Sequence, residues 1–366
     1  GRAWCPLVHD LRPFVCSLKA LGSIVKTTSS KGKAQTIKSS LSGLFFLSFS
    51  VSISNMTTLY IASAALLGAA LGSFAGAQVW RLRAWQLCDD LRREAQLRKK
   101  KQRTVSEKEE YEVLRQENAA AKDERKKLSP LLEQKLRSDR SRCLSCGHEL
   151  KWYDLVPIIS WLSLSGKCRY CRTSIGWTEL LLEVGLASLF AVSAYWWAPF
   201  DVLSGLQFAL WLIALVLLAI LFVYDARWFL LPNKINWAFI AVAAVSAGMS
   251  LYRSIDLLET TVSLVGAVSV LSGVYLVLYL ASRGRWIGFG DVKLGLGLGL
   301  FLGDWLLALV ALFLANFIGT MLVLPGMFRG TLKKEARIPF GPLLIVGFLI
   351  AWFMGDTILS WYMLLI

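Results

Sequence analysis

Histidine is almost missing from this 366-residue chain. His9 and His148 are the only two, and neither lies in a long apolar stretch. A Ser-His-Asp triad, an intramembrane Ser-His dyad and an H-E-x-x-H zinc site each need an imidazole beside the reacting bond, so none can be assembled in the apolar part of the chain. Charge is scarce too: 18% of residues are charged against 55% hydrophobic, and the mean hydropathy is +0.53. That balance excludes an ordinary soluble enzyme and points to a polytopic membrane protein. Acidic residues are the scarcer sign, 25 against 40 basic, for a net charge of +15. The basic residues are not spread as a nucleic-acid surface would need, since about 23 of them fall between positions 81 and 178. Most of the rest precede Met56 or sit in short loops between apolar segments, which is the positive-inside pattern.

What is present is aromatic and apolar. Fifteen Trp and 19 Phe suit lipid-facing helices and interfacial belts. Residues 1–55 contain no Met and have one short apolar stretch, Leu44 to Ile53, so they read as a doubtful leader or upstream translation. Met56 opens a first membrane segment, 56–83, whose apolar run Leu59–Trp80 carries Gly68, Gly72, Ser73 and Gly76 for close helix packing. Residues 84–141 form a charged helical insertion, a long helix or a hairpin without sustained heptads. A cysteine-rich region, 142–178, precedes a membrane domain, 179–366. There, apolar segments at 180–198, 203–224, 235–252, 257–281, 305–327 and 341–365 each approach spanning length.

If the basic region is inside, the loops Asp225–Lys234, Arg283–Lys293 and Arg329–Arg337 are also inside. Residues 292–327 must then cross twice. A break at Gly303–Asp304 leaves about 11 residues for the first leg, roughly 17 Å of helix. Asp291 should therefore lie below the membrane surface, in a protein-lined cavity where non-helical backbone is tolerated. The expected fold is all-α, with about eight transmembrane or half-spanning helices and a cytosolic four-cysteine ribbon.

Four of the seven cysteines form two C-x-x-C pairs, Cys143/Cys146 and Cys168/Cys171. At this spacing four thiolates close a tetrahedron around a structural Zn²⁺, with a redox pair as the alternative. Asp225 and Asp291 are the acids left at the cytosolic ends of spans once those in or beside outer links (Asp201, Asp256, Glu259, Asp304), Glu335 in a cytosolic loop, the isolated Asp356, and Glu179 and Glu183, placed in first helical turns, are set aside. Two carboxyl groups sharing a water divide the roles of base and acid. From the residues alone, catalysis, a proton or cation pathway and buried structural acids all remain open.

Gly288-Phe-Gly290-Asp291-Val-Lys293 resembles the GxGD signature of intramembrane aspartyl proteases. Asp225-Ala-Arg-Trp-Phe-Leu-Leu-Pro232-Asn233 resembles the corresponding element of bacterial prepilin leader peptidases. Leu71-Gly72-Ser73-Phe74, Cys143-x-x-Cys146-Gly-His148, Trp152-Tyr153-Asp154, Gly166-x-Cys168-Arg-x-Cys171, Glu179-Leu-Leu and Ile338-Pro-Phe-Gly-Pro342 are similar to that family in the same order. The chain departs from it at Gly76, where Asn is usual, at Arg83, where Pro is common, at Arg227, where a second Asp is frequent, and in the long insertion.

The resemblance implies a membrane aspartyl endopeptidase that cuts basic leaders from type IV prepilins or pseudopilins at the cytosolic face. Asp225 and Asp291 would be catalytic, supported by Gly288, Gly290, Lys293, Pro232 and Asn233, with Cys143, Cys146, Cys168 and Cys171 on structural zinc. It further implies N-methylation of the new N-terminus with S-adenosylmethionine, for which the residues themselves display no donor pocket. The implied location is the bacterial cytoplasmic (inner) membrane, multi-pass, with ribbon and active site toward the cytosol and lipid around it. No nucleic-acid partner is expected. Two other readings are a proton- or ion-coupled carrier using Asp225 and Asp291 and a zinc-ribbon membrane scaffold. The carrier would need polar groups continuing outward, where the helices are almost wholly apolar.

Overall fold

Long apolar runs with few breakers leave the backbone no partner but itself, and the chain answers with helices. The computed structural model describes residues 35–100, 104–132, 140–197, 201–329 and 339–364, and no strand occurs among them. The expected leader and upstream segment, up to residue 34, lies outside the described residues. Helix α1 (Gln35–Lys99) runs through the first span and 16 residues past position 83, followed by α2 (Val105–Ala120) and α3 (Lys122–Leu132). The cysteine region holds a 3-10 turn at Trp152–Asp154, a short helix, α4 (Ile159–Ser163), and two isolated bridges, Arg142 with Glu149 and Lys167 with Ser174.

The membrane domain follows as α5 (Trp177–Trp196), α6 (Val202–Trp228), α7 (Asn233–Arg253), α8 (Leu257–Val268), a π turn at Ser269–Gly273, α9 (Val274–Ser282), α10 (Phe289–Leu302), α11 (Trp305–Phe328) and α12 (Phe340–Met363). Among the described residues, seven helices, with α8, the π turn and α9 counted as one, are long and apolar enough to cross a membrane. With the shorter α10 they make up the expected eight.

The acids expected in outer links act as caps. Asp201 accepts from Ser204 N, Asp256 from Leu258 N and Glu259 N, and Asp304 from Leu306 N and Leu307 N, so each satisfies orphan donors at the start of a span. Gly303, at φ +65°, ends α10 in the left-handed conformation that glycine adopts freely. Helix α10 is thus 14 residues long, about 21 Å. It differs from expectation at its start, because Phe289, Gly290 and Asp291 are already helical.

Small residues set the packing. A Cβ on Gly68 would come within 2.5 Å of Leu186 O, and one on Gly72 within 2.6 Å of Glu183 Cα, so α1 and α5 touch backbone to backbone. Gly76, by contrast, has room for a methyl group. On α10, Gly299 fits against Val268 Cα of α8, and Gly295 against Leu271 O in the π turn. Toward the far end of α10 an aromatic cluster fills the core. Trp211 stacks on Trp352 at 4.3 Å and meets Phe301 and Phe348, while Phe239 stacks on Phe301 at 5.7 Å.

The insertion folds back instead of projecting as one rod. Arg93 pairs with Glu110 at 2.8 Å and Lys100 with Glu107 at 2.7 Å, which aligns α2 along the end of α1. Ala84, Leu87 and Leu128 form a small buried core between α1 and α3. Leu97 is buried too, but Leu91 and Val105 are exposed, in line with the absence of a heptad seam. Glu124 of α3 accepts from Arg83 at 2.7 Å and from Trp228 Nε1, also at 2.7 Å, so the insertion grips the end of α6.

Burial opposes ionisation of Glu124, but the Arg83 hydrogen bonds and charge, with Trp228, outweigh it and hold the carboxyl below the ordinary glutamate range. A depressed folded-state pKa stabilises above the unfolded value and is lost as pH falls through the folded one. Acidification below the ordinary glutamate range should therefore loosen α3 from α6 in wild type. Hydrogen exchange of α3 against pH should show this release, and Glu124→Gln should flatten the dependence.

Candidate active site

Asp225 lies one turn before the end of α6, where Phe229 at φ +56° turns the chain toward Leu231-Pro232-Asn233. Its side chain is buried, and Oδ2 accepts the Gly341 N–H of α12 at 2.9 Å. That N–H is one of the unsatisfied donors of a helix N-terminus, so the α12 dipole also favours negative charge at Asp225. Asp291 is half-buried in the first turn of α10, and its carboxyl takes a main-chain hydrogen bond from Gly288. The two carboxyl groups lie close enough to feel each other's charge. The fold thus brings together two acids that are 66 residues apart in the chain.

The other residues singled out in the sequence fall around this pair. Pro232 and Asn233 start α7, and Asn233 Oδ1 accepts from Lys293 Nζ at 2.8 Å. Lys293 Nζ lies 5.0 Å above the Phe289 ring and 5.5 Å above Trp237. Gly290 faces Leu231, whose Cβ would be 3.0 Å from an added methyl group, so this glycine admits the α6–α7 turn against α10.

Two contributors escaped the sequence reading. Asn236 of α7, with no exposed surface, donates from Nδ2 to Gly290 O at 3.0 Å; Ser272, in the π turn, donates to Val292 O at 3.0 Å. They hold the carbonyls on either side of Asp291. A polar residue inside an apolar helix was the available signal for Asn236; Gly341 was legible only as part of the Ile338-Pro-Phe-Gly-Pro342 motif, since it acts through its main chain.

Arg227 stacks over Trp80 at 4.5 Å and donates to Thr178 Oγ1 at 2.5 Å, turned away from the role that a second aspartate would have. Asp356 is exposed on α12. Glu179 sits in the first turn of α5 and accepts from Trp80 Nε1 at 3.0 Å. Glu183 is buried a turn further on and accepts Ile158 N–H at 2.7 Å, which ties the cysteine region to α5.

In that region the Sγ atoms of Cys143, Cys146, Cys168 and Cys171 all lie within 4.8 Å of one another. Cys143 and Cys171 are 3.8 Å apart, the edge of a tetrahedron with metal–sulfur bonds of about 2.3 Å. The four thiols therefore fit a metal such as zinc. Asp154 braces the second knuckle, accepting from Arg169 Nε at 2.7 Å and Tyr170 OH at 3.0 Å.

The chain is a helical membrane protein with two carboxyl groups near each other at span ends and, in the lobe that precedes α5, four thiols close enough to hold a metal ion. Residues 66–197 match the Bacterial Peptidase A24 N-terminal domain and residues 212–324 the Type IV leader peptidase family. A prepilin leader peptidase/N-methyltransferase of Burkholderia pseudomallei strain K96243 is 32% identical over 223 residues, covering 59% of this chain and 67% of that protein. The Bacillus subtilis protein of the same description is 30% identical over 61% of this chain and 85% of its own length. That of Vibrio cholerae is 29% identical over 59% and 81%. No solved structure matches the chain. The chain belongs to the type IV leader peptidase family.

Proposed function

We propose that this chain is a bifunctional membrane enzyme, an aspartic endopeptidase that removes leader peptides from type IV prepilins or pseudopilins and an N-methyltransferase acting on the N-terminus so released. The observation that carries the peptidase reading is the meeting of Asp225 and Asp291, each with a main-chain donor. In this mechanism one carboxylate takes a proton from the attacking water and the other protonates the leaving amine. Gly288, Gly290, Pro232, Asn233 and Lys293 hold the frame around them, and the chemistry routes no step through the thiol centre.

The site and the cysteine lobe face the cytosol of a bacterial inner membrane, because the basic segments of the chain cluster on that side. Functionally, 56–83 anchors, 84–141 braces the end of α6, 142–178 is the metal lobe and 179–366 carries proteolysis. Lipid surrounds the spans, and nucleic acid is not a partner. The methyl donor, S-adenosylmethionine, supplies an electrophilic methyl group to the free amine; the names of the relatives support this second activity.

Co-expression with a tagged prepilin, followed by mass spectrometry of its N-terminus, tests both activities. The expected product lacks its leader and carries a methyl mark of about +14 Da. An intact leader overturns the peptidase reading, and a cleaved but unmethylated end overturns the second activity. Neither rival, the carrier or the scaffold, predicts a shortened substrate.

The thiol centre is read as zinc. Metal analysis of purified protein should give about one zinc per chain. Chelation should expose the cysteine lobe to protease before the spans, since Cys143, Cys146, Cys168 and Cys171 link its two knuckles through the ion.

A further inference from the structure

The short helix of the cysteine lobe and the turn before it carry apolar side chains where a water-facing domain would place polar ones. Trp152 is 79% exposed, Ile159 67% and Leu162 61%, and Leu155 adds a fourth apolar surface. Two contacts fix the level of this face against the membrane span beside it. Trp161 packs on Trp177, the first residue of α5, with ring centroids 4.7 Å apart. Ile158 N donates to Glu183 Oε2 at 2.7 Å.

Glu183 is six positions along α5 from Trp177, about 9 Å of helix. Its side chain leans back toward the helix start, so Ile158 still lies beyond the level of Trp177, inside the slab that α5 crosses. Helix α5 has 20 residues and tryptophans at both ends, the length and the belt positions of one bilayer crossing. The segment from Leu155 to Leu162 therefore dips to the depth of the headgroup and acyl boundary.

Its backbone is fit for that medium. Ser160 N bonds Val156 O and Leu162 N bonds Ile158 O, so these main-chain donors are met within the segment. Exposed Lys151 and Lys167 on the same lobe suit anionic headgroups.

We propose that Leu155–Leu162 is an interfacial foot, seated in the leaflet where α5 begins, that rests the metal lobe on the bilayer itself. Its occupant is lipid, by continuity with the lipid-facing surface of α5. The proposal does not depend on either enzymatic activity.

The test uses the full chain in vesicles of phosphatidylethanolamine and phosphatidylglycerol, with an encoded coumarin amino acid at position 159 or 162 and, as control, at position 172. Spin-labelled lipid should quench the probe at 159 and 162 at least about threefold more than at 172, and iodide should do the reverse. Equal iodide quenching at all three positions would overturn the foot. Protection at 159 and 162 from both quenchers would overturn it too, by showing that protein covers the face. Zinc content equal to wild type confirms that each probe-bearing lobe is folded.

Discussion

Asp225→Asn and Asp291→Asn each abolish leader removal, with losses of at least about 10² to 10⁴ in rate, while the protein still accumulates in the membrane. Asparagine keeps the volume of each side chain and retains an acceptor for Gly341 N–H at position 225, so folding is preserved. What it lacks is the proton exchange that the proposed roles require. Asp356→Asn is the matched control: that carboxyl is exposed on α12, apart from the pair, and its loss should leave processing near wild type. Pulse-labelled prepilin resolved by size gives the rates. Processing at the wild-type rate by either active-site variant would remove the aspartyl mechanism.

Gly341→Ala should be nearly as damaging, for a different reason. An added Cβ would stand 2.7 Å from Asp225 Oδ2 and 3.2 Å from its Cγ, so the carboxyl has to move out of the bond it accepts from Gly341 N–H. A displacement of about 1 Å at a reacting group costs on the order of a hundredfold in rate. The backbone of α12 itself tolerates alanine better than glycine, so the defect should appear in turnover with little loss of protein. Gly205→Ala, where nothing lies within 4 Å of the added methyl group, should cleave normally. Equal rates for the two variants would mean that the Gly341 contact does not hold the catalytic carboxyl.

The contrast between Asp225 and Gly341 also marks what the sequence makes readable. An aspartate at the end of an apolar run is costly and therefore conspicuous. The N–H that orients it belongs to a glycine, and every residue except proline has one. Span boundaries were legible for a similar reason: the expected 203–224 and 305–327 became Val202–Trp228 and Trp305–Phe328, the ends set by Asp201 and Asp304 caps and by Phe229 and Arg329.

The insertion was less legible. Its composition reports a solvated helix, whereas docking rests on single residues such as Leu87, Leu128 and Glu124, which look like any others in a charged stretch until α6 stands beside them. Glu183 was misweighed through its position. Near the start of a helix it looked like a partner of the dipole, yet it is the buried acceptor for Ile158.

The shortness of α10 also bears on the electrical insulation of the cell. A water-fed acid pair within a bilayer is half of a proton leak, and a full-length polar helix would supply the other half. Here Asp291 stands ten residues from Phe301, about 15 Å along the helix axis, and Phe301 belongs to the stack with Trp211, Phe239 and Trp352. Beyond Lys293 the helix offers no ionisable side chain to carry a proton onward, and the aromatic cluster closes its far end, so the acid pair is not continued into a conducting path along α10.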